Sequence, residues 1–140
     1  MSRIYWDTML FVYFLEDHPQ YGDRVAQIWS RMRQRNDELC TGSLTLGEIL
    51  VAPYKKGQSE QAEQVEAFFA ESVATIPFTA DAARRYARIR ATLSVRSPDA
   101  IHLACAAQAN TDLFLTNDAS LIGKAIAGIQ FITGLNTDLL

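Results

Sequence analysis

Hydrophobic positions along the chain switch repeatedly between two spacings. Short apolar, β-prone runs stand at 3–6, 38–41, 75–78, 112–116 and 129–132, and each has the length and composition of a strand. Between them the apolar residues fall at helical spacing. The stretch Met9–Leu15 reads as a helix that Thr8 can cap. A second helix, over 23–36, buries Val25, Ile28, Trp29 and Met32 and turns Arg24, Arg31, Arg33 and Arg35 mostly outward. Ser43 or Thr45 opens a third with Leu46, Ile49 and Leu50 inside, which Pro53 should kink or end near Ala52. Ser59 caps a fourth around Ala62, Val65, Phe68 and Phe69. Thr79 caps a fifth around Ala83, Tyr86, Ile89 and Leu93, with Arg84, Arg85, Arg88 and Arg90 mostly outward.

The segment 97–110 differs from these. Ser97-Pro98-Asp99 combines a Ser cap, Pro at the first helical position and an acid in the first turn. The residues after it, Ala100, Ile101, Leu103, Ala104, Cys105, Ala106 and Ala107, are small or apolar nearly all round, as in a helix buried at the centre of a fold. A further short helix is expected over 119–126, while the tail TGLNTDLL shows no strong signal. Strands alternate with helices and no two strands are joined by a tight turn. This pattern predicts an α/β fold with a mostly parallel sheet of four or five strands and helices on both faces.

With 140 residues the chain is sized for one domain, residues 1–140. Its composition, 49% hydrophobic and 21% charged, is that of a globular protein and excludes disorder, collagen and coiled coil. The formal charge of -3, from 13 Lys plus Arg against 16 Asp plus Glu, excludes a coat protein that holds nucleic acid by bulk positive charge. Cys40 and Cys105 lie in apolar contexts and form neither a CxxC pair nor a secreted disulfide framework. No apolar signal region opens the chain, and the run Met9–Leu15 is far short of the roughly 20 residues that span a bilayer. A cytoplasmic protein without a membrane partner is expected.

Ligands of an open α/β sheet bind at the carboxyl ends of its strands, so the polar residues following each strand are the candidates for chemistry. Asp7 follows the first strand directly and Asp118 follows the fourth in Thr116-Asn117-Asp118. Glu48 lies in the first turns of the helix after the second strand, and Asp99 in the first turn of the small-residue helix. None has Lys or Arg adjacent in sequence, so the four would repel one another on converging, and a divalent cation resolves this. Hard oxygen donors without a thiolate pattern point to Mg²⁺ or Mn²⁺ rather than zinc. Metal-assisted phosphodiester hydrolysis needs no protein nucleophile.

Structural roles compete with this reading. Asp99 is a helix-dipole residue, Glu48 completes a capping box with Thr45, and Asp118, Asp112 and Asp7 can each serve as turn or cap residues. His102 sits one turn beyond Asp99, able to touch the site but read first as a hydrogen-bonded core histidine. His18 is read as a solvated loop residue. The Arg clusters are read as solvated helix faces, although Arg makes up ten of the thirteen basic residues and suits bidentate phosphate contacts.

The ordered set Asp7, Glu48, Asp99 and Asp118 resembles the acidic quartet of PIN-domain ribonucleases, and the chain as a whole resembles VapC-type toxins of bacterial toxin–antitoxin pairs. The motifs behind the likeness are YWDTMLFVYFLE, LTLGEILVAPYKKG, RSPDAIHLACAA and DLFLTND. The resemblance implies a PIN-like three-layer fold and a Mg²⁺- or Mn²⁺-dependent endoribonuclease. It also implies a homodimer, silenced by a small cognate antitoxin that covers the acidic groove. Asp7 and Asp99 would be the principal metal ligands, with Glu48 and Asp118 completing the cluster and Thr8 and Thr116 at the rim. After Asp118 the chain departs from many relatives, with Ala119-Ser120-Leu121 where an aromatic is frequent. Two alternatives stand beside this reading: a PIN-family RNA-processing nuclease without an antitoxin, and a catalytically idle interaction module whose acids only cap helices.

The charge now reads differently. Without the four proposed ligands, 12 acids face 13 basic residues, so the acidity is concentrated where a metal would neutralise it, and local contact with a phosphate backbone is allowed. Converging carboxylates should also raise the pKa of at least one of them. Millimolar Mn²⁺ is therefore expected to raise the melting temperature at neutral pH, by about 2.7 kcal/mol of stability at a hundredfold excess over its dissociation constant. An unchanged melting temperature would mean that the acids do not converge.

Overall fold

In the computed structural model, which describes residues 1–140, the five apolar runs become β1 (Arg3–Trp6), β2 (Glu38–Gly42), β3 (Ala74–Ile76), β4 (Thr111–Leu115) and β5 (Ile129–Thr133). They form one sheet, parallel at every pairing, in the order β3-β2-β1-β4-β5. Helices α1 (Thr8–Leu15) and α2 (Gly22–Arg35) join β1 to β2, and α3 (Ser43–Lys55) and α4 (Ser59–Ser72) join β2 to β3. The chain then crosses back through α5 (Ala80–Thr92) and α6 (Ser97–Gln108) to enter β4 on the far side of β1.

Because successive side chains of a strand point to opposite faces, each central strand feeds two cores. Ile4, Trp6, Leu39, Leu113 and Leu115 join a cluster with Leu10, Phe11, Val25, Ile28, Met32, Ile49, Val65 and Phe69 from α1–α4. Tyr5, Cys40, Phe114 and Ile132 join the other, with Ala82 and Ile89 of α5 and Ala100, Leu103, Ala104 and Cys105 of α6. Both faces are therefore covered, and the strands read as continuous apolar runs for that reason. No helix is long and apolar enough to cross a membrane.

The expected α/β architecture is found, with the sheet wholly parallel. Several local expectations are corrected. The cap of α1 is Asp7, whose Oδ1 accepts the Thr8 N–H, and Thr8 is the first helical residue. Pro53 does not end α3, which runs on to Lys55. Gln58 rather than Ser59 precedes α4, and Arg96 rather than Ser97 precedes α6, in each case without a side-chain cap. The Ser97 hydroxyl is bonded to Tyr86 instead. The segment 119–126 forms turns and no helix. Leu121 N–H to Asp118 O and Lys124 N–H to Leu121 O close local turns, and Gly123 N–H to Ile132 O ties the segment to β5. The bond to β5 and the local turns replace an isolated helix of two turns, which is marginal in water.

The small residues of α6 let it lie close against the sheet, and the turn before β5 exploits this. Gly128 has a φ of +98°, and a Cβ there would stand 2.6 Å from the Ala107 carbonyl oxygen. Replacing it with Ala combines backbone strain of about 1–3 kcal/mol with a backbone clash. Gly128→Ala is expected to destabilise the chain by about 3 kcal/mol in urea denaturation. A loss below about 1 kcal/mol would show that the turn is not seated on α6.

Candidate active site

The strand order reverses at β1, whose neighbours β2 and β4 are reached by connections running in opposite directions. The carboxyl ends of β1 and β4 thus diverge into a crevice, the place where open α/β sheets bind ligands. The crevice measures about 380 Å³ and is lined by Asp7, Glu48, Asp99 and Asp118 together with Thr8, His102, Arg96, Asn117, Tyr13, Met9 and Pro98. Four elements therefore bring all four sequence-predicted acids to one pocket. A wider cleft of about 570 Å³ between α3 and α4 contains Glu63 and Glu66 but no strand-end residue.

Asp7 is held at the junction. Its N–H continues the β1–β4 ladder by donating to Leu115 O at 3.0 Å. Its Oδ1 accepts the Thr8 N–H at 2.8 Å, and its Oδ2 accepts the Thr116 hydroxyl at 2.8 Å. Burial pushes its pKa up, and Asp99 adds to the rise. His102, Thr116 and Thr8 oppose it. The expected rise thus occurs, but burial is its larger cause and repulsion by a like charge the smaller. Thr116 is fully buried and supports the site from below, donating to Asp7 and accepting the Asp118 N–H at 3.1 Å, whereas Thr8 lines the crevice.

Glu48 is not part of a capping box. Its Oε1 accepts from Thr8 Oγ1 at 2.8 Å and lies 2.8 Å from His102 Nε2, and these bonds, His102 first, hold its pKa below the usual carboxylate value. His102 is 3% exposed, and its Nδ1 is 2.8 Å from the Tyr5 hydroxyl. It is thus a hydrogen-bonded core histidine that also borders the site. With both ring nitrogens engaged by protein groups, it offers no free nitrogen to a metal.

Asp99 is not without a cation. Arg96, three residues earlier, places Nε 3.3 Å from its Oδ2, with the Arg side chain 79% exposed and the Asp side chain 14% exposed. Asp118 accepts the Ser120 N–H at 2.9 Å and the Ser120 hydroxyl at 2.7 Å through Oδ1, which lowers its pKa. The residue that departs from the family pattern therefore orients Asp118. Outside the crevice, Asp112 Oδ2 accepts the Arg3 N–H at the start of β1. His18 is no freely solvated side chain, since its Nδ1 accepts from Gln20 N and Tyr21 N and its ring stacks on Tyr21.

No three His, Cys, Asp or Glu side chains stand close enough to enclose a metal ion by themselves. Mg²⁺ is commonly held by one or two carboxylates and keeps several waters, while structural zinc demands a closed nitrogen and sulfur cage. Asp7 is half-buried, and its carboxylate has hydroxyl and amide partners but no Lys or Arg partner. Such a group fits a hard cation beside it.

Arg96, Asn117 and Tyr13 were not among the predicted site residues. Asn117 donates from Nδ2 to the Tyr13 hydroxyl at 3.1 Å, joining the loop after β4 to α1. Arg96 had a readable signal in its spacing of three from Asp99 across the start of α6, which lets the two side chains meet. Tyr13 had none beyond its place in an apolar helix.

The profile of the PIN domain family matches residues 4–126. No curated protein matches the chain closely enough to count as a relative. Among solved structures, the chain is similar to VapBC2 from Rickettsia felis bound to a DNA fragment from their promoter, with a TM-score of 0.75 at 20% identity over 94% of this chain and 98% of that one. It is also similar to DNA-bound VapBC from Salmonella typhimurium, with a TM-score of 0.73 at 22% identity over 96% and 99% of the two chains. A toxin-antitoxin complex from Klebsiella pneumoniae gives 0.69 at 18% identity over 90% and 94%. At these identities the likeness is one of fold.

The raised pKa of Asp7 sets a pH dependence with a definite sign. Folding disfavours its ionised form, so the cost of that charge is absent below the unfolded value, about 3.9, and is felt once pH rises through the higher folded value. Asp7→Asn should therefore melt above the unaltered chain at pH 7 in the presence of chelator. The difference should shrink as pH falls towards 4 in paired thermal melts. A variant that melts lower at pH 7 would show that the ionised carboxylate is stabilised in the fold.

Proposed function

The chain belongs to the PIN domain family, and from that premise we propose that residues 1–140 form one PIN domain acting as a Mg²⁺- or Mn²⁺-dependent endoribonuclease, the toxin of a toxin–antitoxin pair. The observation that carries this reading is that Asp7, Glu48, Asp99 and Asp118 all line one crevice at the ends of β1 and β4, with the half-buried Asp7 lacking a Lys or Arg partner. Asp7 and Asp99 would hold the ion and Glu48 and Asp118 would complete its surroundings. A divalent ion bound there lowers the pKa of water and offsets the charge gathering on the phosphodiester.

The chain's own residues supply the rest. Thr8 N–H and the Thr116 hydroxyl keep the two oxygens of Asp7 in place, so that the carboxylate does not turn when a ligand arrives. The exposed guanidinium of Arg96 is placed to exchange its bond with Asp99 for one with an RNA phosphate, where its planar donors match the oxygens. Asn117 adds an amide at the same wall.

The partners in this reading are RNA, a small antitoxin and a second copy of the chain, in the cytoplasm. The structural neighbour from Klebsiella pneumoniae is described as a toxin-antitoxin complex, and the same arrangement is proposed here. Met9 beside the crevice and Val51 and Tyr54 on α3 are exposed, giving protein partners apolar surface.

Purified protein is expected to cleave RNA with Mg²⁺ or Mn²⁺ and to lose this with EDTA. Asp99→Asn should lower kcat/KM by about a hundredfold or more, beyond the 10–100-fold typical of losing a group that only supports a ligand. Equal cleavage by the variant would overturn the assignment. Expression in a bacterial host should arrest growth, with relief by Asp7→Ala. Harmless expression of active enzyme would favour an RNA-processing nuclease, and absence of specific Mn²⁺ binding in calorimetry would favour an idle module.

A further inference from the structure

Beneath Glu48 lies a chain of buried polar groups that the metal reading leaves without a task. The Tyr5 hydroxyl, on a side chain with no exposure, accepts the Gly42 N–H at 2.9 Å and stands 2.8 Å from His102 Nδ1. His102 Nε2 stands 2.8 Å from Glu48 Oε1. Gly42 is required for this contact, because a Cβ there would come within 2.9 Å of the Tyr5 hydroxyl oxygen.

Counting protons fixes the direction of the chain. The Tyr5 oxygen has one proton, which an ordinary phenol keeps at neutral pH. Gly42 N–H is a donor, so it occupies a lone pair and cannot take that proton. Its remaining partners are Nδ1 at 2.8 Å and the neighbouring Thr41, whose hydroxyl is already bonded to Trp6 O and Thr45 Oγ1. If Nδ1 carried a hydrogen, two donors would face each other across the 2.8 Å contact or the phenol would have to turn its proton to the already bonded Thr41, whereas a bare Nδ1 takes it directly. Nδ1 is therefore bare in the neutral ring, and Nε2 carries the hydrogen and gives it to Glu48. Thr8 donates to the same oxygen, which leaves Oε2 without a hydrogen-bond partner from the protein.

We infer that Tyr5 and His102 are positioning residues that lock Glu48. The Gly42 amide sets the Tyr5 proton, Tyr5 sets the tautomer of His102, and the Nε2–H of His102 holds Oε1 so that Oε2 stays free for the ligand of the crevice. The consequence for a metal rests on the nuclease reading; the lock itself does not.

Two-bond ¹H–¹⁵N spectra of the full chain in chelator, at pH 8, test the lock directly. A protonated Nε2 and a bare Nδ1 are expected for His102, and the opposite tautomer or a doubly protonated ring overturns the proposal. The Glu48 carboxyl ¹³C resonance should move in His102→Leu and stay near its place in His102→Gln, whose amide can still donate; no movement in either, with both folded, also overturns it. If His102→Leu does not fold, the tautomer of the unaltered chain and the Gln variant decide. Calorimetry with Mn²⁺ alone should show affinity 10–100-fold weaker in His102→Leu and largely restored in His102→Gln, the range for groups that orient a metal ligand. Equal affinity in all three removes the consequence for metal, whereas no Mn²⁺ binding by the unaltered chain refutes the nuclease reading and leaves the spectra to judge the lock.

Discussion

The site depends on a carboxylate carried into a place where water cannot fully solvate it. Asp7 is the first residue beyond β1, and its backbone N–H is still part of the ladder to β4. The side chain cannot retreat without breaking that register. Its two oxygens are held from both sides of the switch point, by Thr8 at the start of α1 and by Thr116 at the end of β4. Burial makes the charge costly, and the arrangement is stable only because the surrounding sheet and helices define it so closely.

The other acids are arranged in graded exposure around this one. Glu48 is fastened by His102 and Thr8, Asp99 is balanced by Arg96, and Asp118 is bonded to Ser120 in the exposed turn. Each has a different partner, so the four do not share one environment. The low pKa of Glu48 and Asp118 and the raised pKa of Asp7 follow from hydrogen bonds at the rim and desolvation at the floor. Close approach of α6 to the sheet makes this possible, since a helix of Ala and Cys brings His102 within reach of Tyr5 and Glu48.

The local expectations that failed share one cause. Thr8, Ser59 and Ser97 each looked like caps, yet the cap of α1 is Asp7, and Gln58 and Arg96 precede α4 and α6 without a side-chain bond. Thr8 and Ser97 bond partners distant in the chain, which a pattern of neighbours cannot reveal. Thr45 and Glu48 had the spacing of a capping box, but Glu48 is drawn away by a histidine 54 positions on. The segment 119–126 has helical apolar spacing, yet a bond to β5 and turn bonds such as Leu121 N–H to Asp118 O shape it.

By itself the sequence determined what depends on periodicity and local order. Alternating apolar runs and helical stripes specify strands and helices, the absence of tight turns between strands specifies a parallel sheet, and the position of each acid directly after a strand or at a helix start marks it as a candidate ligand. Only the tertiary structure decided which strands are neighbours, and hence that Asp7 and Asp118 share a crevice, that Thr116 supports Asp7 from below, and that His102 and Tyr5 stand behind Glu48. The reason is that chain order leaves the sheet order open. The exchange of hydrogen bonds between Asp7, Leu115, Thr116, Glu48 and His102 exists only once β4 has been laid beside β1 and α6 packed across both.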